Sequence, residues 1–196
     1  MKEKPILFSF EMVRAILDGQ KTQTRRVITK KQIYCPEHER IHDHIISFTY
    51  NQEAILRCAK YQVGDRLWVK ENFYVQPDIW CSTHEEQPVH YKADGNTECL
   101  EDYISKSSRF MPKWAARIWL EVTGVRVERL QDISEKDARA EGVTKQHNYF
   151  RDDMVIECGN VYRRCFAKLW DSLNAKRGYS WGKNPWVWVY EFKRIK

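Results

Sequence analysis

Six consecutive residues, Lys21-Thr22-Gln23-Thr24-Arg25-Arg26, bring together a lysine, two threonines and an arginine pair. A cation beside hydroxyls suits two tasks. It can hold an anion, or it can take a proton from an alcohol and so make a nucleophile. The second task needs a dry pocket, where burial weakens the lysine's hold on its proton. Lys21 and Thr24 are the pair at issue. In a regular strand, residues three apart point to opposite faces. The two therefore converge only in a turn or helical winding, which Gly19 nearby would allow. A solvated lysine in a polar loop is the plainer reading of the same spacing.

Glu141 is the third candidate. It falls in the last turn of a short helix, just before Gly142. A carboxylate there faces the negative end of the helix dipole, a misfit that a cation such as Lys21 would relieve. An amine, an alcohol and an acid together have the parts for acid–base assisted acyl transfer. The plain alternative is a surface glutamate paired with Arg139 or Lys145. Arg25 and Arg26 carry planar forks suited to phosphate, and Thr22 offers a hydroxyl. Lys30 and Lys31 extend the positive run, and Trp68, Tyr74 and Trp114 could stack on bases. Equally, one arginine could form a buried ion pair and the tryptophans could be core.

Cys35-x2-His38 and Cys81-x2-His84 have a gap used in zinc ligation. The pattern is weak, because His42 and His44 are equally available, and the expectation is no metal. There is no phosphate-cradling glycine loop, GxSxG or HExxH motif.

Certain elements must position these residues. Pro5–Phe8 reads as a buried strand. Ser9 caps a helix whose apolar face is Met12, Val13, Ile16 and Leu17, and Gly19 closes it. Arg66–Lys70 alternates as a half-buried strand, and Val89–Lys92 gives another. Residues 116–130 are strongly β, with a bulge or bend expected at Gly124. Ser134 caps a short helix, with Asp137 three residues on in a capping-box variant. Val161–Asn174 forms a longer helix whose stripe is Val161, Cys165, Leu169 and Leu173, widened by Phe166 and Trp170. In the closing strand Trp186, Trp188, Tyr190 and Phe192 face one way, Val187 and Val189 the other.

The 196 residues fit a single domain spanning 1–196, with insertions at about 30–57 and 76–112. Strands interspersed with helices predict an α+β fold around a small mixed β-barrel. The net charge of +6 permits a polyanion partner without demanding one. No apolar run is long enough for a bilayer, and Met1–Pro5 lacks a secretion signal's apolar stretch. A cytoplasmic protein with free thiols is expected, without an obligate protein partner.

Taken together, Gly19-x-Lys21-Thr22-x-Thr24-x-Arg26, Val63-Gly64-Asp65-x-Leu67-x-Val69, the Glu121-Val122-Thr123 strand, the Ser134–Glu141 helix and the Val187–Phe192 strand resemble the ASCH family. The chain also looks like the larger ASCH proteins encoded by bacteriophages and prophages. The resemblance implies a PUA-like fold, a small β-barrel with flanking helices. It covers about half of the chain and leaves out 30–57, 76–112 and most of 143–160. Some small bacterial members are amidohydrolases that remove the acetyl group of N4-acetylcytidine without a cofactor. On that resemblance Lys21, Thr24 and Glu141 are the catalytic set. Thr22, Arg25 and Arg26 would bind substrate, and the partner is a modified nucleoside or RNA. Other members are regarded as RNA-binding modules, and some show ribonuclease activity, so a non-catalytic binding module is the alternative.

Overall fold

The computed structural model describes residues 1–29, 56–76, 89–95, 102–144 and 161–196. The expectations for Cys35, His38, His42, His44, Cys81 and His84, and for a strand near Ile45 to Phe48, lie outside them. The fold is α+β. The eight described strands fall into two sheets. Among the described strands neither sheet closes on itself, which corrects the expected barrel: each order ends in a strand paired on one side only. Among the described residues no helix is long and apolar enough to cross a membrane. The chain divides into two compact units.

The first unit comprises Met1–Gly19, Gly64–Glu121 and Lys193–Lys196. Strand β1 (Glu3–Leu7) runs parallel to β3 (Arg66–Lys70), which pairs antiparallel with the start of β7 (Trp119–Arg129). A separate sheet places β4 (Phe73–Val75) between β5 (Val89–Tyr91) and β6 (Ile104–Lys106). Its core is Phe73, Val75, Met111, Ala115 and Ala116, with Trp68 packed alongside. Helix α1 (Phe10–Leu17) begins where expected. The Ser9 hydroxyl accepts from the Met12 amide, and Gly19 follows at φ 71°. A left-handed φ of this kind is reached cheaply only by glycine. Glu71 is buried and accepts two hydrogen bonds at 3.0 Å from Arg117, whose third arm reaches Asp94. The guanidinium lies 3.9 Å from the centre of the Tyr91 ring.

The second unit comprises Gln20–Val63 and Val122–Phe192. Strand β2 (Gln23–Val27) pairs antiparallel with β8 (Trp186–Arg194), and β8 neighbours β7. Helices α2 (Glu135–Ala140) and α3 (Val161–Asn174) cover this sheet. Leu130, Ile133, Ala138, Phe166, Trp170 and Val189 are among the buried residues between them. Burying a leucine, isoleucine or phenylalanine contributes about 1.5–3 kcal/mol; Ile133 and Val143 on either side of α2, with Ala138 within it, tie the short helix to this core. The Ser134 hydroxyl accepts from the Asp137 amide at 3.0 Å, as the capping box implied. Leu173 departs from its expected place in the α3 stripe: it is exposed, and the buried last-turn residue is Asn174, which bonds back to the Trp170 carbonyl. β7 runs through Gly124. A Cβ at that position would stand 2.8 Å from the Glu191 carboxylate, so the glycine makes room for a neighbouring side chain.

Candidate active site

β2 is the last strand in its sheet order, so one of its edges is unpaired among the described strands. The Phe192 amide donates to the Thr22 carbonyl and the Ile28 amide to the Trp186 carbonyl. Even-numbered residues thus bond to β8, and the odd-numbered Gln23 turns its carbonyl to the open edge. Directly opposed residues in an antiparallel pair share a face. Thr24 opposes Tyr190 and Arg26 opposes Trp188, so these four lie on one face. Gln23 and Arg25 lie on the other, with Val189 of the core.

Lys21 precedes the strand and forms a single β-bridge with Glu141. The turn or winding expected to bring Lys21 to Thr24 is absent, because the chain is already extended at Gln23. The Lys21 side chain reaches the open edge. Its Nζ donates to the Gln23 carbonyl at 2.9 Å, the Glu141 carbonyl at 2.8 Å and Glu141 Oε2 at 2.8 Å. A neutral amine has only two hydrogens to donate, so three acceptors at this range match the ammonium. Burial pulls Lys21 below the ordinary lysine value. Glu141 opposes that pull, while Arg26 and Arg25 add to it.

Glu141 caps the C-terminus of α2, and Gly142 turns the chain away at φ 81°. Its other oxygen, Oε1, accepts from Arg25 Nη1 at 3.1 Å. Arg25 is sealed from solvent. Its Nε and Nη2 both donate to Glu128 Oε1, at 2.8 and 2.5 Å, and Nη2 lies 3.7 Å from Asp137. Phe166 of α3 packs against the guanidinium, 5.8 Å from its ring centre. Arg126 continues the network to Glu128, Asp137 and Glu191. Burial alone would raise Asp137. Hydrogen bonds from Ser134 and Gln23 and the charges of Arg126 and Arg25 take it below the usual aspartate value instead.

On the opposite face Thr24 is buried. Its hydroxyl has no hydrogen bond to Lys21 or Glu141 among the described residues. Tyr190 meets Tyr61 edge to face, with ring centres 5.0 Å apart. Arg26 is half-buried here. Lost hydration lowers it, against the opposing influence of Tyr61, Glu141 and Tyr190. Thr22 is exposed, its amide bonded to the Ala140 carbonyl.

This geometry can hold a proton between an ammonium and a carboxylate, shielded from water, with the Thr24 alcohol on the opposite face of the strand. The chain resembles an ASCH domain. The solved ASCH domain from Lactobacillus crispatus JV V101 shares 14% identity, with a TM-score of 0.44 over 99% of this chain and 80% of that one. Protein EF3133 from Enterococcus faecalis V583, of family DUF984, shares 10% identity, with a TM-score of 0.43 over 100% of this chain and 76% of that one. No family model and no curated protein matches the sequence.

Of the residues expected from the ASCH resemblance, Lys21 and Glu141 meet directly. Thr24 and Arg26 share the aromatic face. Arg25 engages three carboxylates. Sequence reasoning overlooked Glu128, Arg126 and Tyr61, and read Asp137 only as a cap. One signal was present: Arg126 and Glu128 are two apart on a strand, which puts opposite charges on one face. They meet there at 3.1 Å. Among the described residues no cluster of metal-ligating side chains occurs; Cys58 is exposed and Cys165 buried.

Proposed function

We propose that this chain is an ASCH-type amidohydrolase acting on an acylated nucleoside such as N4-acetylcytidine, in the cytoplasm. The observation that carries the reading is the sealed Lys21–Glu141 pair at 2.8 Å, in the segment that leads into the buried Thr24. Lys21 starts as the ammonium and returns a proton to Glu141 Oε2. Burial makes that transfer easier than it would be in water. Lys21 Nζ then leaves the Gln23 carbonyl and turns towards the face of Thr24, where the neutral amine takes the hydroxyl proton as Oγ attacks the acyl carbonyl. The tetrahedral oxyanion collapses, the C–N bond breaks, and the departing cytidine amine takes the proton from Lys21. Water then attacks the acyl-threonine ester with the Lys21 amine as its base; the proton passes to Thr24 Oγ as that oxygen leaves, acetic acid departs, and Glu141 hands its proton back to Lys21. Arg26, on the face of Thr24, would meet an anionic or carbonyl group of the substrate. Every step uses protein groups, substrate and water alone.

The test is acetate release from N4-acetylcytidine by wild type, Thr24→Ala and Lys21→Ala. Turnover by wild type that both substitutions abolish, in folded protein, supports the reading. Wild type that binds the nucleoside and never releases acetate overturns it.

One observation favours a second reading. The three donors of Lys21 are already engaged, as they would be in a module that binds RNA or a modified nucleoside without catalysis. Salt separates the two. RNA held by several phosphate contacts weakens steeply as salt rises, whereas a neutral nucleoside in a pocket does not. Cleavage of RNA in the same assay would point to a nuclease instead.

A further inference from the structure

We propose that Arg25 is a positioning residue: it fixes the Glu141 carboxylate so that one oxygen, and only one, is presented to Lys21. The proposal rests on the amidohydrolase reading for its consequence in turnover, but not for its geometry. A lone Lys–Glu pair leaves the carboxylate free to rotate and offer either oxygen. Here Arg25 Nη1 occupies Oε1 at 3.1 Å, and Lys21 Nζ has Oε2 at 2.8 Å. Arg25 cannot swing away. Nε and Nη2 are both tied to Glu128 of β7, Asp137 of α2 stands 3.7 Å away, and Phe166 of α3 covers the guanidinium. A planar fork gripping two elements at once is something a lysine could not reproduce. Arg126 anchors Glu128 and Asp137 in turn, at 3.1 and 3.4 Å.

There is an electrostatic side to the same contact. Arg25 is a fixed cation next to a lysine that must give up its proton. The charged groups facing Lys21 are Glu141 from the end of α2, and Arg26 and Arg25 from β2. Removing the Arg25 charge would leave Lys21 holding its proton more firmly. Loosening Glu141 would let the proton-accepting oxygen drift, and a misplacement of about 1 Å near the reacting atoms costs about a hundredfold in rate.

The experiment compares wild type with Arg25→Gln, which removes charge and fork, and Arg25→Lys, which keeps the charge alone. Three readings are taken on the full chain: kcat and KM for N4-acetylcytidine, the pH dependence of the Lys21 ¹³Cε resonance, and the exchange rate of its Nζ hydrogens. The expected result is a fall in kcat of about a hundredfold with KM nearly unchanged for both variants. The Lys21 titration moves to higher pH in Arg25→Gln, and its Nζ hydrogens exchange faster in both variants. Should Arg25→Gln fail to fold, Arg25→Lys still gives the exchange rate and kcat. Lys21 hydrogens that exchange as in wild type, in folded variants with wild-type kcat, overturn the proposal and leave Arg25 a structural residue. If wild type itself releases no acetate, the amidohydrolase reading fails, while the two resonance measurements still decide whether Arg25 governs the Lys21–Glu141 pair.

Discussion

Lys21 and Glu141 are 120 positions apart in the chain, yet they are joined twice, by a backbone bridge and by a side-chain ion pair sealed from water. Removing one member of a buried pair strands the other's charge. Glu141→Ala should therefore destabilise the protein by about 3–5 kcal/mol at neutral pH, read as a fall in the urea midpoint. Lys21 is already lowered by burial, and losing Glu141 lowers it further. A lysine whose folded value lies below its unfolded value binds fewer protons when folded. The variant's stability therefore rises with pH above that folded value, until the unfolded lysine also deprotonates. The deficit should narrow between neutral pH and about pH 10. A deficit independent of pH would mean that Lys21 titrates in the variant as it does in wild type, and that losing Glu141 leaves it no more lowered by burial.

Glu71 and Arg117 support a prediction of opposite sign. Burial raises the Glu71 carboxyl, and the Arg117 hydrogen bonds and charge hold it down. Arg117→Met removes that restraint. With the folded value raised further above the unfolded one, stability is fully present while the carboxyl is protonated. It is then lost as pH climbs from the unfolded value through the folded value. The variant should lie close to wild type near pH 4 and fall behind by about 3–5 kcal/mol at neutral pH. Thermal melts across that range check it.

Gly124→Ala should be mild. The new Cβ would meet Glu191 Oε2 at 2.8 Å and the Glu191 Cβ at 3.4 Å. The nearer atom is the end of a flexible, half-exposed side chain that can move aside, giving up its contact with Arg126. An exposed pair of that kind is worth about 0.2–1 kcal/mol. A urea midpoint lowered by much more would show that the strand itself had shifted.

Tyr190 should be the last tyrosine to ionise. Burial pushes its hydroxyl up to about 12, against hydrogen bonds from the Lys60 and Tyr61 backbone. Its anion is disfavoured in the fold, so stability falls as pH rises past the unfolded tyrosine value. Ultraviolet titration should show a late step among the 10 tyrosines that Tyr190→Phe abolishes. A wild-type curve complete well below that point would contradict the burial of Tyr190.

Much of the fold could be read from periodicity. Ser9, Gly19, Ser134 and Gly142 mark helix ends by local chemistry, and the α3 and β8 patterns repeat at their proper periods. The places where reading failed share a cause. The side chain that needs the space at Gly124, Glu191, cannot be found by local inspection. Leu173 fits the helical stripe by spacing, but its burial depends on what packs against the last turn. Sheet closure is decided by long-range pairing and leaves no mark in a strand's own pattern. At the candidate site the residue types around Lys21 and Glu141 were legible, and the partition of work was not. Arg25 and Arg26 are alike in sequence. Which of them enters the ion network depends on the phase of β2 against β8, and that appears only once Thr24 is set opposite Tyr190.

That phase has an evolutionary corollary. Thr24 and Arg25 adjoin in the chain but answer to different surroundings, so selection can act on them separately. Exchanging side chains at positions 24 and 26 would remodel the aromatic side while the acids around Arg25 stay as they are. A single-residue deletion before Gln23 would do the reverse, scrambling both sides in one step.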